Sequence, residues 1–235
     1  MQRTRKWNLL PKWIVANSVG ELLGLGATFL IGAGLFAGLS DAPGIGPALL
    51  TAALMTATGA LEGVIVGLAQ WIVLGRAIVG IPRRSWVVAT AIGGVVAWLF
   101  GSIPMTLARL SADAGASTAQ EPPQAMVLLM ASAMGLVAGV VLSAAQWISF
   151  RRQVPRAWRW LPANAIAWAA GMPLIFAGID LAQKLASRLM VVVVMGVTIA
   201  LAGSVVGAIH GVALVVLVAE IEARRASSPR PSEPG

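Results

Sequence analysis

The chain has 235 residues, 58% of them hydrophobic and 11% charged, with a formal net charge of +8 and a mean hydropathy of +0.84. So few charges exclude an ordinary water-soluble domain, in which about a quarter of residues are charged. The absence of cysteine excludes disulfides, thiolate metal sites and thiol catalysis.

Taken in order, the chain opens with Arg3, Arg5, Lys6 and Lys12, followed by an apolar run over 14–39. No small-residue cleavage site closes that run, so it is expected to stay as a span rather than be removed as a signal peptide. Further apolar runs cover 47–75, 86–108, 124–150, 160–179 and 189–219. Each is long enough to cross a hydrocarbon core of ~30 Å, and none alternates as a barrel strand would. Six helical spans are expected. The connection over 110–124 reads as a loop, 180–189 as a short amphipathic turn with Asp180, Lys184 and Arg188 at helical spacing, and 226–235 as a disordered Ser/Pro-rich tail.

Basic residues set the orientation, because those near short loops are retained on the cytoplasmic side. Arg76, Arg83, Arg84, Arg151, Arg152, Arg156, Arg159, Arg224, Arg225 and Arg230 join the N-terminal group on one side; only Arg109, Lys184 and Arg188 lie near the other. This places both termini in the cytoplasm of a bacterial inner membrane and makes anionic lipid headgroups the expected partners of that face. The same charges resemble the footprint of a nucleic-acid binder, but topology accounts for them and no nucleic-acid partner is expected. Tryptophans 7, 13, 71, 86, 147, 158 and 160 fall near the same boundary and are expected to form an interfacial belt.

The odd spans repeat a pattern: Trp13, Ala16, Asn17, Gly20 and Gly24 align with Trp86, Ala89, Thr90, Gly93 and Ala97, and with Trp160, Ala163, Asn164, Ala167 and Gly171. The even spans repeat Gly63, Gly67, Gln70 and Trp71 as Gly139, Ser143, Gln146 and Trp147, and as Gly203, Gly207, His210 and Gly211. A self-similar unit of two spans, at 11–76, 82–152 and 155–219, follows. Because each unit holds an even number of spans, the copies share one orientation. The expected fold is an all-α membrane domain over 1–225, with six transmembrane helices as three parallel two-helix repeats around a pseudo-threefold axis. Inverted-repeat transporters are disfavoured. These Trp-x-x-Ala and Gly-x-x-x-Gly-x-x-Gln-Trp units resemble those of uncharacterised multi-pass membrane proteins of bacteria, a resemblance that implies no particular activity.

On a helix the repeated positions share one face, so the glycines read as packing seams. Asn17, Asn164, Thr90, Gln70, Gln146 and His210 fall at a similar depth and are candidates for a polar ring, either as interhelical hydrogen bonds or as the lining of a binding vestibule. Glu21 and Glu62 are the candidate functional carboxylates, because an ionisable group inside a span is costly to keep there. Neither recurs: Gly94 and Trp168 replace Glu21, and Ala138 and Ala202 replace Glu62. One histidine without cysteine supports no metal site, no cofactor motif is present, and no catalytic constellation is found, so an enzyme is not expected. Two functions remain: a binding or transport module for a small solute, ion or lipid, or a non-catalytic accessory, assembly or structural subunit associating with another membrane protein or with a second copy.

Overall fold

The computed structural model describes residues 8–39, 42, 44–115 and 122–227, with only the backbone for 35–39. Six long helices account for nearly all of them: α1 (Leu9–Leu39), α2 (Ile45–Ala77), α3 (Arg83–Asp113), α4 (Gln124–Phe150), α5 (Trp160–Gln183) and α6 (Arg188–Ser227). A single 3-10 turn, Ala157–Arg159, leads into α5, and the described residues contain no strand. All six helices are long and apolar enough to cross a membrane. Even α5, at 24 residues, reaches about 36 Å, while α6, at 40, overshoots any hydrocarbon core.

Several boundaries differ from the sequence reading. Helix α3 runs through Asp113, so the start of the expected 110–124 loop is helical, and α6 carries Ala226 and Ser227, the first residues of the expected tail. The remainder of that tail, and Trp7, lie outside the described residues. Asp180 does pair with Lys184 at 2.8 Å, but α5 stops at Gln183 and Arg188 opens the next helix. Pro82 and Pro123 stand immediately before α3 and α4 with extended ψ values of 135° and 143°. A proline has no N–H to give, which suits it to a helix start.

Each helix packs against its neighbours in the chain, and α6 returns to pack on α1, closing a ring. The burial pattern is the reverse of a soluble bundle. In α1 the inward stripe is Trp13, Asn17, Gly20, Glu21, Gly24 and Thr28, whereas Val15, Val19, Leu22, Leu23 and Leu30 face outward. Helices in lipid gain nothing from hiding leucine from leucine. They associate where small residues let backbones approach and where polar side chains find partners.

The close approaches recur at corresponding positions. A Cβ added to Gly63 would lie 2.6 Å from Ala91 Cα, one on Gly139 2.8 Å from Ala165 Cα, and one on Gly203 2.9 Å from the Asn17 carbonyl oxygen. In each case an even-numbered helix rests on the inward stripe of the odd-numbered helix that follows around the ring. No side chain larger than hydrogen fits without parting the backbones.

The end of the bundle where α1, α3 and α5 begin and α2, α4 and α6 finish carries most of the arginines and is called the basic end below. Its interior is built around Trp13, Trp86 and Trp160, which are 0%, 1% and 1% exposed. The Trp160 ring lies 6.0 Å from that of Trp13 and 6.2 Å from that of Trp86, centroid to centroid. Leu74, Phe150, Val154, Ala157 and Leu217 are among the apolar residues that pack with them. This corrects the expected tryptophan belt: three of its members are the core. They occupy the same helical face as the small residues below them, and that face points to the axis. Trp158, at 59% exposed, does stand on the surface, and Trp71 and Trp147 are half-buried beneath the guanidinium groups of Arg83 and Arg151.

Candidate functional site

Two polar groups lie inside the bundle, one beneath the tryptophans and one deeper. The first is a connected hydrogen-bond layer. Asn17, Thr90 and Asn164 each donate to the carbonyl oxygen of the tryptophan one turn earlier, at 2.8, 2.9 and 3.0 Å. This bond holds each side chain close to its own helix and directs its remaining capacity inward. Gln70 Nε2 then donates to Asn17 Oδ1 at 2.9 Å, and Gln146 Nε2 donates to both Gln70 Oε1 at 3.1 Å and Thr90 Oγ1 at 3.0 Å.

The tryptophans are tied into the same layer. Trp160 Nε1 donates to Gln146 Oε1, and Trp13 Nε1 to His210 Nδ1, both at 2.8 Å. These bonds explain why a histidine can stand where the other even helices carry glutamine: each offers an acceptor to an indole N–H. Acceptance at Nδ1 places the proton of the neutral ring on Nε2. Trp86 breaks the pattern. The corresponding partner is Gln70, but its oxygen is engaged by Gln146, and Trp86 Nε1 is buried with no hydrogen-bond partner.

Of the candidates, then, Asn17, Gln70 and Gln146 are joined directly with Thr90. His210 is linked to Trp13, its ring 5.2 Å from that of Trp160. Asn164 makes its side-chain bond to its own helix. All are buried, and the rings of Trp13, Trp86 and Trp160 pack over the layer on the side of the basic end.

The second group is the carboxyl pair. Glu21 lies one turn beyond Asn17 and is 3% exposed. Its methylene groups pack where Gly203 of α6 leaves room, 2.9 Å from the place a Cβ there would take. Its Oε2 is buried and has no hydrogen-bond partner. Glu62 crosses α1 at Gly24, where an added Cβ would be 3.2 Å from Glu62 Cγ. Glu62 Oε2 accepts a 2.9 Å hydrogen bond from Trp98 Nε1 of α3. Gly24 and Glu21 are on adjacent turns of one face of α1, so the Glu21 and Glu62 side chains occupy neighbouring positions along that face.

Trp98 is not among the candidates named from the sequence. The clue was available: Trp98 aligns with Leu25 and Met172, so like Glu62 it occurs in one copy only. Gly24 and Gly203, read simply as seams, are also what makes space for the two carboxylates. Among the described residues no group of three or more His, Asp or Glu side chains converges as a metal site would require. No known protein family, characterised protein or solved structure matches the chain.

Proposed function

We propose that the chain is a bacterial inner-membrane protein with both termini cytoplasmic, built as three parallel two-helix repeats about a pseudo-threefold axis. We propose further that it is a binding or transport module for a small solute or ion, coupled through Glu21 and Glu62. The threefold reading is supported by the recurring glycine approaches and by the three side-chain bonds back to the leading tryptophans. The orientation is supported by the concentration of arginine at one end.

The functional reading rests on one observation. Glu21 keeps a carboxylate oxygen buried and unpartnered in the middle of an apolar bundle, beside a second carboxyl group. Packing alone gives no reason to retain that arrangement, since the aligned positions hold glycine, alanine or tryptophan, and a charge there costs ~2.5–3.5 kcal/mol on insertion scales. A group able to take up and release a proton or a cation gives the reason. The polar layer and the tryptophans lie between the carboxyl pair and the basic end.

The test is flux in liposomes containing the purified protein, with a pH-sensitive dye and a panel of monovalent cations. The native chain is expected to support proton or cation movement that Glu21→Gln and Glu62→Gln each abolish. Flux equal to that of empty liposomes for the native chain, or unchanged in both variants, would sink the reading. An accessory role has its own support: Cβ atoms on Gly26, Gly34 and Gly101 would meet nothing, leaving small residues for a partner helix to approach. Recovery of a stoichiometric membrane partner under mild detergent is the result that favours it.

A further inference from the structure

The two connections at the basic end are not built alike. Between α2 and α3 the chain turns through Gly80, whose φ of 102° is natural for glycine. Between α4 and α5 it turns through Arg156 at φ 52° and ψ 30°, the only described residue other than glycine with positive φ. A side chain in that region carries a modest conformational cost and is uncommon outside Asn and Asp. The connection is nonetheless firmly seated. Val154 and Ala157 are buried in the tryptophan cluster, and Arg151 caps α4 with a 2.8 Å bond to the Trp147 carbonyl.

That seating turns a row of arginines outward. Arg151, Arg152 and Arg156 line a concavity of about 540 Å³ closed on its far side by Arg224 and Arg225 at the end of α6. Glu220, the acid beside them, is engaged by Arg159 at 2.7 Å and Arg156 at 3.3 Å, which fixes Arg156 across the gap between the connection and α6. A second concavity of about 430 Å³ lies on the other side of the same three arginines, walled by Trp147 and the exposed Trp158. One turn below, Ile148 points outward, 62% exposed.

We propose that this paired concavity binds the phosphodiester headgroup of an anionic phospholipid. The phosphate would lie on the Arg151, Arg152 and Arg156 row, the glycerol would lie against Trp147 and Trp158, and the acyl chains would run down past Ile148. Guanidinium groups match phosphate oxygens in a bidentate fork, and an indole suits the boundary between headgroup and chain. A free phosphate shares the first half of this chemistry but has no use for the tryptophan-lined half, which is why the assignment is to a lipid. The site is independent of the carboxyl pair.

Thermal unfolding of the full chain in a neutral detergent, with and without short-chain phosphatidylglycerol, is the test. A saturating anionic lipid should raise Tm by roughly 5 °C, while phosphatidylcholine of the same chain length and inorganic phosphate at matched concentration should not. Arg151→Gln/Arg152→Gln/Arg225→Gln should lose the shift. Should that variant fail to fold or invert its topology, Arg151→Lys/Arg152→Lys/Arg225→Lys keeps the charges and should at least halve it. Arg156→Gly removes the backbone cost, so its Tm without lipid should hold or rise while its lipid shift falls. Arg83→Gln/Arg84→Gln, at the other connection, should keep most of the shift. A shift that survives both triple variants, is matched by phosphatidylcholine, is reproduced by inorganic phosphate, or is lost equally in the Arg83/Arg84 variant overturns the proposal.

Discussion

The polar layer and the carboxyl pair lie close together along the bundle, about 6 Å from Asn17 to Glu21 and about 12 Å from Gln70 to Glu62, yet they manage burial in opposite ways. In the layer, side chains from five helices are bonded to one another: Asn17 accepts from Gln70, and Gln146 alone engages Gln70, Thr90 and Trp160. In the pair, Glu62 has one indole partner, and one oxygen of Glu21 has none. The layer is repeated in sequence and the pair is not. A repeated, mutually satisfied set is what holds equivalent helices together. An unrepeated, partly unsatisfied one is what remains when packing has been accounted for, and that contrast is why the functional reading rests on the glutamates rather than on the more extensive network.

Removing the hub of the layer should have the largest effect. Gln146→Leu deletes three hydrogen bonds and leaves the Trp160 indole N–H buried without an acceptor. At ~0.6 to ~1.7 kcal/mol per interhelical bond, the expected loss is about 2–5 kcal/mol, read from unfolding in mixed detergent micelles. A loss below about 0.5 kcal/mol would mean that the layer is not what secures the helices, and the distinction between the two regions would collapse.

The tryptophans give a finer version of the same comparison. Replacing Trp13, Trp86 or Trp160 by Phe removes similar volume from the core, but only Trp13 and Trp160 lose a hydrogen bond. Trp86→Phe should therefore be less destabilising than the other two by about 1 kcal/mol. Equal losses at all three would indicate that Trp86 finds a partner of its own, such as a buried water between it and Gln70.

How much of this was legible in the sequence depends on what each residue contacts. The six helices were readable because lipid demands long apolar runs, and the inward stripes because Trp13, Asn17, Gly20 and Gly24 recur at helical spacing. The position of the tryptophans was misread: an indole near a membrane boundary suits the interface, but the same residues also headed the stripes of small side chains, and packing at the axis prevailed over interfacial preference. Which amides pair was not readable, since Gln70 could equally have served Trp86 as Gln146 serves Trp160. The choice depends on interhelical placement that no local pattern encodes. The proximity of Glu21 to Glu62 likewise needed Gly24 and Gly203 to be placed against their neighbours. Arg156 carried no sequence signal at all, because nothing in Val154-Pro155-Arg156 announces a positive φ.

The smallest expected effect on stability is also the one that bears most on function. Glu21→Gln preserves the shape that fits against Gly203 and removes the ionisable group. Glu21 Oε2 has no hydrogen bond to lose. Stability should therefore change by less than about 0.5 kcal/mol, since the amide has the shape of the carboxyl group and no hydrogen bond is lost. Glu62→Gln should behave similarly, because the amide oxygen can still accept from Trp98. Carboxylates kept for packing would give the opposite result, a loss of 1 kcal/mol or more that parallels the loss of flux across the two variants. A stable Glu21→Gln protein that no longer moves protons or cations would separate the two roles: the residue costs the fold something, and what it returns is the exchange of a charge inside the membrane.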